Sequence, residues 1–154
     1  ISIAFQAAGI RLNTSASLPI GLYKTTSDTT ARLIAFCPPG LAASLSESRG
    51  YRGRGNCPDG AEPLLKPIVA ASGDLVEVSP QGIAVNGRLL PNSAPRAFDT
   101  KHRPLPHWPF GNYRVAGGTV WVVSSYNPRS FDSRYFGPIQ ISSTRCRLQP
   151  LLTE

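Results

Sequence analysis

Residues 74–90 alternate apolar and polar side chains and reverse at two turns, a pattern that covers one face of an antiparallel sheet rather than one stripe of a helix. Leu75-Val-Glu-Val78 runs out, Pro80 to Gly82 turns, and Ile83-Ala-Val85 returns to Asn86-Gly87, the dipeptide favoured in a type I′ hairpin turn. The rest of the chain is interrupted as often, by 15 Pro and 14 Gly among 154 residues. Such punctuation favours short strands joined by loops, so the expected fold is mainly β.

Further strands are expected over residues 1–5, leading through Ile10 and Leu12 to a turn at Ser17, and over 32–36, 119–125 and 139–142. One short helix is expected over 41–48, stopped by Gly50. Residues 53–63 read as loop, and the polar, proline-rich 91–111 as a surface excursion. No internal repeat is visible. The length fits one domain, 1–154, able to bury about two-thirds of the surface its unfolded chain exposes.

Cys37 and Cys57 bracket a segment rich in Gly, Ser and Arg. A bridge between them would make 38–62 a loop-and-helix insertion and add about 3 kcal/mol of stability in the chain-entropy account. Cys146 is then left over, because three cysteines allow only one internal bridge. A disulfide fits an oxidising compartment such as the periplasm.

The net charge of +7 comes from dispersed arginines without interleaved aromatics or a recognition-helix pattern, so nucleic acid is not the expected partner. A surface working beside anionic lipid headgroups fits better, each nearby cation gaining about 1 kcal/mol there. The chain has no Met and no run of roughly 18 apolar residues. A segment upstream of Ile1 is therefore expected, with a membrane anchor as the candidate.

Asn13-Thr-Ser-Ala-Ser17-Leu-Pro19-Ile-Gly21-Leu-Tyr23 places a hydroxyl two residues before a proline at a turn. A serine attacking a carbonyl needs a base. Among the lysines, Lys24 is too near Ser17 along an extended strand and Lys101 lies in a polar loop, whereas Lys66 adjoins the apolar Pro67-Ile-Val-Ala-Ala71. Burial there can lower an amine from its ordinary pKa of about 10.4 by roughly 3 to 5 units and make it a base. A third segment, Ser130-Phe-Asp132-Ser-Arg134-Tyr-Phe-Gly137, adds a hydroxyl, a carboxylate and a guanidinium.

Other catalytic templates are missing: the sequence holds no Gly-x-Ser-x-Gly elbow, no Ser-x-x-Lys and no His-Glu-x-x-His. His102 and His107 share the Pro- and Arg-rich loop with Asp99 but read as solvated loop histidines, so neither a metal nor another cofactor is expected.

Taken in this order, the three segments resemble the signal peptidase I family of membrane-anchored Ser/Lys proteases. The continuation Pro19-Ile-Gly21-Leu-Tyr23 is similar to the conjugative-transfer branch, the TraF-type pilin-maturation peptidases. Lys66, six residues before Gly73-Asp74, matches the family's lysine before a Gly-Asp turn, although Pro67 stands where a basic residue is usual and Ser72 where proline is common. The usual Gly-Asp-Asn lead-in is here Ser125-Tyr-Asn127-Pro-Arg129.

The resemblance implies a coiled β-sheet of the signal peptidase and LexA type with one short helix. It implies Ser17 as nucleophile, Lys66 as base and Ser130 as the hydroxyl orienting the amine, with Asp132 and Arg134 pairing around them. It also implies an oxyanion site from the Ser17 N–H and the Ser15 hydroxyl. Leu18, Ile20 and the strand before Ser17 are expected to wall the substrate groove.

The function the resemblance implies is cleavage of signal or propeptide segments from secreted precursors, here a conjugative pilin subunit, by an enzyme on the bacterial inner membrane with its catalytic domain in the periplasm. Association with a conjugation or secretion apparatus follows from the same resemblance. Some members of the branch resolve the acyl-enzyme with the substrate's own amino terminus and make cyclic pilin. The alternatives are a LexA-like self-cleaving regulator, for which too few residues precede Ala8-Gly9, and a non-catalytic basic β-module of a secretion complex.

Overall fold

The computed structural model describes residues 9–154, so the strand expected over 1–5 lies outside the described residues. Strands β1 (Ile10–Asn13), β2 (Gly21–Thr26), β3 (Leu33–Phe36), β4 (Leu64–Ala70), β9 (Thr119–Val122), β10 (Ile139–Gln140) and β11 (Thr144–Thr153) form one sheet in the order β1-β2-β11-β3-β4-β9-β10. A second sheet, ordered β7-β6-β5-β8, contains β5 (Leu75–Ser79), β6 (Gly82–Val85), β7 (Arg88–Leu89) and β8 (Gly111–Arg114). All the pairings are antiparallel. The fold is the expected mainly β one.

The meander follows its sequence. Val76 and Val78 point into the core and pair with Val85 and Ile83. Asn86 and Gly87, with φ of 50° and 83°, supply the two left-handed residues of a type I′ turn into β7. Strand β8 gave no signal, because Gly111-Asn112-Tyr113-Arg114 has no apolar alternation; it is recruited by backbone pairing along β5. Packing then joins the two sheets, through Val76, Val78, Ile83, Trp121 and Val123.

At the C-terminus the expected 139–142 strand is only Ile139–Gln140, followed by a 3-10 turn over Ile141–Ser143. The ten-residue β11 was not legible. Leu148 is its single buried residue, so no alternation marks it, although it sits centrally between β2 and β3.

Helix α1 (Gly40–Ser48) matches the expected helix, and the bonded pair Cys37–Cys57, with Cα atoms 5.7 Å apart, ties the segment that carries it. Within that segment the buried Arg52 donates to Ser46 Oγ, Ala43 O and Glu62 O and pairs with Asp59. Cys146 is unpaired. A second, one-turn helix α2 (Ser133–Phe136) was not expected from sequence; its N-cap, Asp132, accepts from the Arg134 N–H.

The 91–111 excursion is more embedded than its composition implies. Ser93 is buried and its hydroxyl accepts from Ile83 N–H and donates to Leu90 O, while Leu105 is also buried. Asp99, in the same excursion, has a side chain only 6% exposed. It accepts from Tyr51 Oη at 2.6 Å, Arg103 Nε at 2.7 Å and the N–H groups of Lys101 and Arg103. Burial works to raise its pKa, but these donors hold it well below the usual carboxylate range.

Candidate active site

The turn between β1 and β2 is wound around one side chain. Asn13 is buried, its amide nitrogen donating to Ser15 O, Leu18 O and Pro19 O, and its Oδ1 accepting from Ser15 N–H at 3.1 Å. Tyr23 Oη also donates to Pro19 O, at 2.7 Å. Every bond of this set ends on backbone, so it fixes the path of the loop and presents Ser17, half-buried, at its apex.

Strand β4 buries Leu64, Lys66, Ile68 and Ala70 on one face, so the period-two rule that puts the aliphatic residues in the core puts the amine there too. Lys66 is 3% exposed, and its Nζ donates to Ser130 Oγ at 2.8 Å. Burial lowers its pKa to about 8; the Asp132 carboxylate pulls it up, and the Arg134 guanidinium pushes it down. Pro67 is accommodated in this central strand because Ile68 N–H turns toward β3, donating to Arg32 O, so the missing N–H would face β9, where the pairing slips between Ile68 and Ala70.

Asp132 and Arg134 are fully buried and joined by two bonds, Nε to Oδ1 at 2.8 Å and Nη2 to Oδ2 at 2.9 Å. Arg134 also donates to Asn92 O, Pro128 O and Ser124 O, which occupies all of its N–H groups. The pair therefore fastens three loop carbonyls as well as α2.

Ser124 was not singled out from sequence, yet it connects this pair to the nucleophile turn. Its N–H donates to Asp132 Oδ2 at 2.9 Å, its carbonyl accepts from Arg134, and its buried hydroxyl donates to Ser17 O. Only its place just ahead of the Ser130 segment hinted at a role.

Ser15, Ser17 and Lys66 line one cleft of about 230 Å³, together with Tyr51, Leu105, Phe131 and Tyr135. Among the described residues Ser17 Oγ makes no hydrogen bond, and Ser17 N–H donates to Ser15 Oγ at 3.3 Å. Ser15 therefore keeps its own hydroxyl proton for another acceptor.

Leu18 and Ile20, expected to wall the substrate groove, do not line this cleft. Leu18 packs in the core with Tyr23, Ala35 and Leu148, because the Asn13 bonds turn it inward, and Ile20, 48% exposed, lies outside the cleft. The cleft is lined instead by Tyr51, behind α1, and by residues of the 91–111 excursion. Sequence gave no signal for either, since both reach the cleft only through tertiary contacts such as Tyr51 to Asp99.

Comparison with known proteins gives one family: signal peptidase, peptidase S26, matches residues 12–151. The chain is 41% identical over 150 residues to the "Plasmid transfer protein TraF" of Escherichia coli, covering 96% of this chain and 84% of that one. It is 36% identical over 152 residues to the "Probable conjugal transfer protein TraF" of Sinorhizobium fredii, covering 94% and 78%. A crystal structure of a signal peptidase I from Enterococcus faecalis V583 aligns with a TM-score of 0.43 at 18% identity, covering 82% of this chain and 100% of that one.

Proposed function

The chain belongs to the peptidase S26 family of signal peptidases, and on that premise we propose that it is a serine endopeptidase with a Ser17/Lys66 dyad, acting on precursors in conjugal transfer. The observation that carries the reading is the buried Lys66 amine, held by Ser130 and sharing a cleft with the unbonded Ser17 hydroxyl. At pH 7 a group with a pKa of about 8 is neutral in about a tenth of molecules, some hundreds of times more often than a free lysine. That neutral fraction can take the Ser17 proton as Oγ attacks the scissile carbonyl.

Lys66 then returns the proton to the leaving amine, and the acyl-Ser17 intermediate is released by water or by the substrate's amino terminus. The Ser15 hydroxyl, and the Ser17 N–H once substrate displaces it from Ser15, would stabilise the oxyanion. Asp132 and Arg134 hold the surrounding loops, and the Cys37–Cys57 bridge fits a periplasmic setting. No helix among the described residues is long and apolar enough to cross a membrane.

The substrate proposed is a pilin-like precursor, in keeping with the conjugal-transfer names of the relatives. Incubating the chain with such a precursor and following products by mass spectrometry tests this, and separates hydrolysed from cyclic product. The kcat/KM is expected to rise with pH and level off above about 8, because the base must first lose its proton. Ser130→Ala should lower the rate across the profile. A bell governed by a group near about 6.5 and abolished by replacing His102 or His107 would show that the base is a histidine.

Ser124→Ala should separate positioning from binding. It leaves Ser17 O without its donor, so kcat is expected to fall about tenfold with KM little changed, and stability by about 1 to 3 kcal/mol. Steady-state kinetics and urea unfolding measure the two effects.

A further inference from the structure

The cleft carries an unbalanced positive charge that neither the dyad nor the fold uses. Arg96 and Arg129 line it beside Ser17 and Lys66, and both also line the wider hollow that opens from it. Both are exposed, and among the described residues neither guanidinium has a carboxylate partner or a hydrogen bond. The other arginines near the cleft are committed: Arg49 and Arg103 to Asp99, and Arg134 to Asp132. Asp99, the cleft's one carboxylate, is already held by two arginines and a tyrosine, so it does not offset Arg96 and Arg129.

The backbones that carry these two arginines are each tied by a hydrogen bond. Arg96 N–H donates to Tyr135 Oη at 3.1 Å, and Arg129 N–H to Asn127 Oδ1 at 2.8 Å. Arg129 immediately precedes Ser130, the hydroxyl bonded to Lys66, so a group reaching Arg129 also lies near the reacting centre. Two arginines from different segments that line one cleft, with no bonded guanidinium partner among the described residues, suit an anion that accepts hydrogen bonds from both.

We propose that Arg96 and Arg129 form a carboxylate subsite of the cleft, which selects substrates bearing an acidic side chain or a free C-terminal carboxylate within a few residues of the cleaved bond. This rests on the endopeptidase reading above. A peptide carboxylate fits better than a lipid phosphate because the two arginines share their cleft with Ser17 and Lys66, where peptide must lie for cleavage.

The test uses internally quenched, alanine-rich peptides in which one position at a time on either side of the cut is Glu or Gln, each made with a free or an amidated C-terminus. Cleavage is measured with the full chain and with its Arg96→Gln/Arg129→Gln variant. Binding is measured in parallel by fluorescence anisotropy in the Ser17→Ala background, so that the subsite is read without turnover. Both substituted side chains are exposed, and an unchanged thermal midpoint will show that the double variant folds.

One position, or the free C-terminus, is expected to give about a tenfold preference for the carboxylate in both kcat/KM and binding, the low end for hydrogen bonds to a charged group. The double variant should lose that preference, so that its rates on the Glu and Gln peptides, and on the free and amidated ones, become equal. The preference should weaken as salt is raised. Whether Glu or the free terminus carries it identifies the source of the carboxylate.

Arg-dependent binding without cleavage would uphold the subsite and overturn the endopeptidase reading. Cleavage with no carboxylate preference, or with one that survives the double substitution, would overturn the subsite alone. Loss of binding to phosphatidylglycerol vesicles in the double variant, with peptide preference intact, would likewise overturn it in favour of a membrane contact.

Discussion

Lys66→Met is expected to abolish cleavage and to stabilise the protein. The amine is the proposed base, and without it Ser17 keeps its proton, so kcat/KM should fall by at least about a thousandfold. Ser17→Ala should do the same, and the double substitution should be no worse than either single one, since the two groups act as a unit. Retention of more than a few per cent of activity by Lys66→Met would remove Lys66 from the mechanism.

The stability gain follows from the same depressed pKa. In the unfolded chain Lys66 binds its proton below about 10.5, in the folded chain only below about 8. Between these values the unfolded state holds more protons, so stability falls as pH drops from about 10.5 to about 8 and is then constant. The accumulated cost is about 3 kcal/mol, fully present at neutral pH. A methionine of similar length has no charge to desolvate, so urea unfolding at pH 7 should show a gain approaching that figure, and the alkaline dependence should flatten. An unfolding free energy that is unchanged at pH 7 would mean that the amine is better solvated than its burial implies.

Arg134→Met is expected to have the largest effect on stability, a loss of about 3 to 5 kcal/mol, because it strands a buried carboxylate. Asp132 would lose both guanidinium bonds, and the carbonyls of Asn92, Pro128 and Ser124 would lose their donors. Asp132→Asn should cost less, since a neutral amide has no charge to strand, and the double variant should cost less than the sum of the two. Urea denaturation of the four proteins gives the cycle directly. Surviving activity carries a second readout: Asp132→Asn removes the charge that raises the Lys66 pKa, so the activity plateau should begin at lower pH.

Much of the fold was written in local pattern. The meander over 74–90, its Asn86-Gly87 turn, the helix after Pro39 and the bracketing cysteines are set by period, turn chemistry and covalent reach, which act over a few residues or within one loop. Strand β11 was not, because a strand with one buried residue has no period to read and is held by backbone pairing with β2 and β3. In the site, the Ser17 turn, Lys66 and the Ser130 to Arg134 segment stood out by residue type and order.

What the sequence could not decide was how those residues meet, since each contact depends on distant parts of the chain. The sequence alone determined that a hydroxyl, an amine and an acid-base pair were available in a mainly β chain. The fold decided that Lys66 faces inward, where burial lowers its pKa, and that it meets Ser130, 64 residues away. It likewise turned Leu18 into core, drew Asp99 out of solvent, and brought Ser124 to Ser17 O across 107 residues. Burial and long-range hydrogen bonds belong to the packed chain as a whole, and no local window of residues encodes them.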